Sequence, residues 1–369
     1  MVLFQRLLSR LTEDLLLLAL LLALLPLWWL ADVPASALPA LVDWRTVAAL
    51  AGLMVLSRAL EDSGYLAGWG RMLMMRLRSE RALALALVWL AALLSAVVTN
   101  DVALFILVPL TLSLRAVADL PLGRLVVFEA LAVNAGSAVS PMGNPQNLFL
   151  WQSFQIGFGE FLLTMLPLAA LLMALLSILV VAAFPARAIK AQTSLADPLR
   201  DAPLLRLALI LYPLFLLATD FGYAIPAAAL VLALFVCCYR SVLRGVDWLL
   251  LLVFVLMFVD LGLLAGMPVL RQAMASLVDV PGGELTVGIV LSQLLSNVPA
   301  TLFMAGFTED WRTLAYAVSV GGFGLAIGSL ANLIALRLAR HKGLWREFHL
   351  WSVAMLLGGW LGAVWLLAE

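Results

Sequence analysis

Two short polar clusters interrupt long apolar runs. Thr99-Asn100-Asp101 and Ser296-Asn297 each lie between stretches of Leu, Val and Ala. Short polar side chains can cap the helix that follows them, and Pro299 suits the first turn of such a helix. A carboxylate and two amides at membrane depth are costly, however, unless they bind something. A second pair of segments is broken rather than merely polar. Residues 134–147 carry Gly136, Pro141, Gly143 and Pro145 together with Ser137, Asn144 and Asn147. Residues 319–332 carry Gly321, Gly322, Gly324 and Gly328 together with Ser329 and Asn332. Proline removes a backbone donor and glycine permits unusual dihedrals, so a helix through either segment must break. Broken helices offer N-terminal amides to an anion and C-terminal carbonyls to a cation. Two polar tips facing two broken helices predict a binding site built of amides, hydroxyls and carbonyls.

Other reactive groups are few. Glu129 is the lone acid of its apolar segment and a candidate proton carrier, as is Asp101. Arg58, Glu61 and Asp62 lie within one turn, which predicts local ion pairing. Asp260 has no neighbouring base and lies near the end of an apolar run, within reach of the membrane interface. The only cysteines, Cys237 and Cys238, are adjacent in an apolar run, which leaves neither a disulfide scaffold nor a zinc motif. The only histidines, His341 and His349, fall in a charged segment read as a loop, so a metal or haem enzyme is not expected. An intramembrane enzyme lacks a nucleophile–base pair. The tryptophans, including Trp28, Trp29, Trp351 and Trp360, read as interfacial anchors.

The elements that must position these groups are membrane helices. Of 369 residues 65% are hydrophobic and only 12% charged, against about a quarter charged in soluble domains. Lipid as the solvent explains that deficit. Net charge is zero and no basic domain exists, so nucleic acid is excluded as a partner. Full crossings are predicted at 15–31, 45–67, 124–151, 161–183, 205–219, 224–239, 248–267, 313–336 and 350–367. The span at 205–219 is the weakest, being short and carrying Pro213. Ala35-Ser36-Ala37 resembles a signal-peptide cleavage site, but the preceding apolar run is long for one and the topology needs it as a span.

Segments 82–115 and 286–305 read as hairpins that enter and return on one side. The second arm of the first is too short for the ~30 Å hydrocarbon core. With the N-terminus cytoplasmic, 18 of 22 Lys and Arg fall inside, as the positive-inside rule asks. They include Arg71, Arg76, Arg78 and Arg81, then Arg187, Lys190, Arg200 and Arg206, then Arg337, Arg340, Lys342 and Arg346. Nine crossings place the C-terminus outside.

Three blocks of the first half recur in order in the second. VLSRALEDSGYLAGW (55–69) aligns with VFVLMFVDLGLLAGM (253–267), and SAVVTNDVALF (95–105) with SQLLSNVPATL (292–302). The third block pairs Gly136 with Gly321, Gly143 with Gly328 and Asn147 with Asn332. The expected fold is therefore an all-α membrane protein of two inverted-topology repeats: about nine transmembrane helices, two re-entrant hairpins and two discontinuous helices. Residues 1–186 form the first repeat, 187–204 a cytoplasmic linker and 205–369 the second repeat. Inverted repeats put a transporter's site at their interface.

On these residues the chain resembles the ion transporter superfamily, which holds arsenite permeases, citrate transporters, divalent anion/sodium symporters and a class of sodium/proton antiporters. TNDVALFILVPL (99–110) resembles the arsenite permease hairpin, and NAGSAVSPMGNPQNLFLW (134–151) the broken helix of the anion permeases. SNVPATLF (296–303) and GLAIGSLANLIAL (324–336) resemble their second-half counterparts. The resemblance implies a homodimer in which a mobile transport domain moves like an elevator against a scaffold. It implies that Thr99, Asn100, Gly143, Asn147, Ser296, Asn297, Gly328 and Asn332 line substrate and ion sites. The first tip reads Asn-Asp where sodium-coupled dicarboxylate carriers resemble Ser-Asn-Thr, and Ala326 stands where the first break has Pro141.

The sequence thus predicts a secondary transporter of the inner membrane rather than an enzyme. It moves a small anion or oxyanion coupled to protons or sodium, the sodium lying at Asn100 and Asn297, with no other cofactor. Ser137, Asn144 and Ser329 join the site. A sodium/proton antiporter of the same fold, with Asp101 alternating between proton and sodium, is the second reading. A non-transporting scaffold is a distant third, because it leaves the paired breaks without a purpose.

Overall fold

The computed structural model describes residues 15–65, 79–114, 120–189, 200–278, 280, 282–339 and 343–368. Ala67, Arg71, Arg76, Arg78, Lys190, Arg340, His341 and Lys342 lie outside them. Among the described residues the chain is helical throughout, with one isolated antiparallel bridge between Ser79 and Ala188.

Helix α1 (Leu15–Ala31) is followed, across a 117° bend, by a 3-10 turn at Ala35–Leu41. Then come α2 (Trp44–Asp62), α3 (Glu80–Val97), α4 (Asn100–Ser113), α5 (Leu122–Ser137), α6 (Pro145–Ser153) and α7 (Phe158–Ala183). Next are α8 (Ala202–Asp220), α9 (Ala224–Cys238), the short α10 (Arg240–Gly245), α11 (Trp248–Gly266) and α12 (Pro268–Val278). The chain closes with α13 (Gly283–Leu295), α14 (Asn297–Met304), α15 (Trp311–Gly321), α16 (Leu330–Ala339) and α17 (Leu344–Ala368).

Side-chain caps decide several starts. Asp43, Ser79, Thr99, Asn144, Asp201, Asp247 and Asp310 each accept a bond from a backbone N–H of the helix they precede. These are donors that a helix start leaves without an internal partner.

Five helices among the described residues are long and apolar enough to cross a membrane: α3, α7, α8, α11 and α17. The segment expected to be weakest is one of them, since α8 runs 19 residues through Pro213. The expected span at 45–67 is different. Helix α2 stops at Asp62, where Gly64 adopts φ 73° and its N–H returns to Glu61. Arg45, Arg58, Glu61 and Asp62 all lie within it, which keeps it out of the apolar set. The expected ion pairing is present, with Arg58 3.2 Å from Glu61 and 2.7 Å from Asp62. Where the two hairpins are expected, α3 packs on α4 and α13 on α14 across short turns, the first at Val98–Thr99 and the second at Ser296 alone. The first arm of the first hairpin, α3, is itself of crossing length, whereas α14 has only 8 residues. Helix α12 had no counterpart in the expected layout.

Helix packing sorts the elements into two groups. Helices α1, α2 and α8–α11 pack on one another, with α2 against α8 and α9, and α11 against α1. Helices α3–α7 and α13–α17 form the other group, which contains both hairpins and both breaks. Its two most extensive contacts are α3 along α5 and α13 along α15. Glycine makes both close. A Cβ on Gly136 would fall 2.3 Å from the Ala92 backbone, and one on Gly321 would fall 2.4 Å from Ser292 Cβ and 3.4 Å from Ile289 Cα. The groups meet where α2 touches α4 and α6, and where α11 touches α14.

One residue sits otherwise than expected. His349 lies within α17 rather than in a loop, because the helix starts at Leu344, and its Nε2 accepts the Ala326 N–H at 3.3 Å. Trp351 packs on the buried Phe128 at 5.3 Å between centroids, whereas Trp29 is 81% exposed.

Candidate functional site

The first broken helix is α5–α6, interrupted at 138–144, and the second is α15–α16, interrupted at 322–329. Both gaps are narrower than the glycine and proline content suggests, because Asn134 and Ser319 remain helical while Asn147 and Asn332 already belong to α6 and α16. Asn144 caps α6 by accepting the Asn147 N–H at 2.9 Å, and Pro145 occupies the first helical position. Asn144 Nδ2 donates to Ser137 Oγ at 3.0 Å. Asn147 Nδ2 donates to the Ser137, Ala138 and Ser140 carbonyls, each at 3.1 Å. These side chains serve the peptide groups that a break in hydrocarbon would otherwise leave bare.

The second break is built the same way at one point and differently at others. Asn332 Nδ2 donates to the Gly322 carbonyl at 2.9 Å, the position aligned with Ser137. Here Gln293, from the hairpin arm α13, takes over much of the work. Its Nε2 donates to the Gly321 and Phe323 carbonyls at 2.7 and 2.9 Å, and its Oε1 accepts the Leu325 N–H at 2.8 Å. Ser352 Oγ accepts the Gly324 N–H at 2.8 Å. Gly324 has φ 90°, and a Cβ there would lie 2.5 Å from Gln293 Oε1, so no other residue fits.

Each hairpin's second arm crosses to the other half. Helix α4 packs on α16, and α14 packs on α6. At the first tip the Asn100 N–H donates to the Gly143 carbonyl at 2.8 Å, Thr99 caps α4, and Asn100 Oδ1 accepts the Asp101 N–H at 2.9 Å. At the second tip Ser296 adopts φ 79°, ψ 153°, a conformation few non-glycine residues hold without strain. Its buried Oγ has no hydrogen-bond partner among the described residues. Asn297 is buried, and its Nδ2 would lie 3.2 Å from a Cβ placed on Gly322. Gly328 backs onto the Gly321 carbonyl.

The two halves are joined at Asn134. Its Nδ2 donates to Asn332 Oδ1 at 2.8 Å, and its Oδ1 accepts from Ser329 Oγ at 3.0 Å. The structure therefore gathers Asn100, Ser137, Gly143, Asn144 and Asn147 around one break, and Asn297, Gly328, Ser329 and Asn332 around the other. Asp101 is half-buried in the first turn of α4. Glu129 is fully buried two turns before the first gap, where it accepts from Thr111 Oγ1 on α4 and leaves Oε2 without a partner among the described residues. It is separate from the central cluster. Asp260 is only 2% exposed, and neither of its carboxylate oxygens has a partner among the described residues. Asn134 and Gln293 join the candidate site, and the sequence did not single them out. A glutamine one residue after Ser292 in an apolar arm was the available signal.

Crossed hairpins and broken helices holding buried amides, in a chain of apolar helices, define a membrane transporter. The chain belongs to the citrate transporter family, whose profile matches residues 2–321. It is 44% identical to the inner membrane protein YbiR of Escherichia coli strain K12 over 321 residues, 86% of each chain. It is 34% identical to an uncharacterised transporter of Methanocaldococcus jannaschii over 305 residues, 81% of this chain and 82% of that one. A shorter match, 34% identity over 126 residues, joins 34% of this chain to 26% of the silicon efflux transporter LSI3 of Oryza sativa subsp. japonica. The crystal structure of the YdaH transporter of Alcanivorax borkumensis, described as having an unusual topology, shares the fold. It has a TM-score of 0.56 at 15% identity and covers 94% of this chain and 97% of its own. The chain is a multi-pass protein of the inner membrane.

Proposed function

We propose that the protein is a secondary transporter of a small anion or oxyanion, coupled to protons or sodium, working by an elevator-type movement as a homodimer. The observation that carries this is the crossing of α4 and α14 over the two breaks. It sets α4 against α16 and α14 against α6, four helices whose first turns carry Asn100, Asn332, Asn297 and Asn147. Helix N-termini carry partial positive charge and free N–H groups, which suit an anion. None of the named site residues is a base, so the site suits a small, weakly charged oxyacid better than a polycarboxylate. The silicon named for the rice relative falls in that class. The separation of helices into two groups, only one of which holds the tips and breaks, supports movement of that group against the other. The recurrence of element order, α2–α7 and then α11–α17, supports two inverted repeats divided near residues 187–204.

Asp101 and Glu129 are the proposed proton carriers. Purified protein in vesicles tests the reading: uptake or efflux of silicate, arsenite, phosphate, sulfate or citrate under imposed sodium or pH gradients. No transport of any anion, together with acidification when sodium is added, would favour a sodium/proton antiporter in which Asp101 alternates between the two cations.

A further inference from the structure

We infer that Asn147 and Ser319 together hold a sodium ion. The argument starts from a correspondence between the breaks. Pro145 and Leu330 open α6 and α16 at matching positions, and Asn147 and Asn332 make the same bond to the aligned carbonyls of Ser137 and Gly322. Gly136 and Gly321 make matching close approaches to α3 and α13. In that register residue 134 corresponds to residue 319.

On one side of the site the bridge between the halves is complete. Helix α5 packs on α16, and Asn134 Nδ2 reaches Asn332 Oδ1 at 2.8 Å. On the other side α15 packs on α6, and the register of the two breaks pairs residue 319 with Asn147 as it pairs Asn134 with Asn332. Residue 319 is serine, one heavy atom shorter than asparagine. Both groups that would have met are buried and have no hydrogen-bond partner among the described residues: Ser319 Oγ and Asn147 Oδ1.

The chemistry of this pair selects its ligand. Asn147 Nδ2 is committed to three carbonyls, which fixes the amide orientation and leaves Oδ1 only the role of acceptor. A cation meets that acceptor, and the serine hydroxyl can turn its lone pairs to the same ion. Ser319 lies in the last turn of α15, the end of a helix that favours positive charge. The donors are neutral, hard oxygens. No cluster of three or more His, Cys, Asp or Glu able to hold a metal occurs among the described residues, so the set suits a monovalent rather than a divalent ion. This gives the coupling cation of the proposed transporter a site of its own, although binding itself does not depend on that reading.

The test is thermal unfolding of the detergent-purified protein, without substrate, titrated with NaCl against KCl and choline chloride at constant ionic strength. The wild type should show a saturable, sodium-specific rise in Tm. Ser319→Ala should weaken the apparent sodium affinity at least tenfold. Ser319→Asn supplies the amide of its counterpart, and should abolish the sodium response without lowering the Tm measured in its absence. A wild type with no sodium-specific shift overturns the inference, including the case in which Ser319→Asn is stabilising, which marks a gap bridged by water. Equal sodium dependence in wild type and Ser319→Ala also overturns it, and places any sodium at the tips. If Ser319→Asn does not fold, Ser319→Ala alone decides. Sodium binding in a protein that moves no anion would overturn the proposed function and leave this site standing.

Discussion

Asn134 and Asn332 share a 2.8 Å hydrogen bond across 198 residues of sequence, and through it the first broken helix holds the second. Both side chains are buried. Truncating one leaves the other with an unmet donor or acceptor, at a cost of about 1–3 kcal/mol. Asn332→Ala should lower thermal stability by that amount. The double variant Asn134→Ala/Asn332→Ala should lose less than the sum of the single losses. Additive losses in a double-mutant cycle would show that the bond does not couple the halves.

Asn100 and Asn297 stand at the two tips, and little of the fold hangs on their side-chain ends. Asn100 anchors its tip through its backbone N–H, and the Asn297 carbonyl accepts from Thr301 Oγ1 at 2.6 Å. Asn100→Ala and Asn297→Ala should therefore insert and purify normally while transport falls at least a hundredfold. Wild-type rates in both variants would remove the tips from the site.

The glycine contacts give a prediction about packing alone. Gly136→Ala puts a methyl group into the Ala92 backbone, and neither α3 nor α5 can yield locally. A loss of about 1–3 kcal/mol is expected from such overpacking. Gly321→Ala should cost less, since its nearest contact is the Ser292 side chain. Gly159→Ala in α7, with nothing within 4 Å of the new atom, should be neutral or stabilising by up to about 1 kcal/mol. Melting curves of the three variants check the order.

The nine crossings expected from a cytoplasmic N-terminus would put the C-terminus outside. A reporter fused after residue 369 that is active only when exported should be active, and one that works only in the cytoplasm should be silent. The opposite pattern would mean an even number of crossings, with the charged α2 the foremost candidate for a helix that does not cross.

The breaks and tips were legible in the sequence because their residues obey local rules. Proline at 141 and 145 cannot continue a helix, and Thr99 and Asn144 cap the helices that follow. What those rules do not carry is pairing at long range. Gln293 serves carbonyls 28 and 30 residues away, and nothing near Gln293 in the chain announces that. The crossing of α4 onto α16 and α14 onto α6 is likewise a tertiary fact. His349 was misplaced because charges at Arg346 and Glu347 read as a loop, whereas in the fold Glu347 meets Arg124 and the helix runs through them. The end of α2 was set too late because the apolar residues beyond Gly64 hid its turn.

The first break bears on the proposed movement. The carbonyls of Ser137, Ala138 and Ser140 all converge on the single amide nitrogen of Asn147. The gap is therefore stapled to the helix that follows it and has little slack of its own. A ligand held there cannot be released by flexing the loop, because loosening one strut loosens three. In the proposed elevator, loop and half-helix would travel as a single piece, and the displacement that carries cargo from one face of the membrane to the other would be taken up at the seams between helix groups.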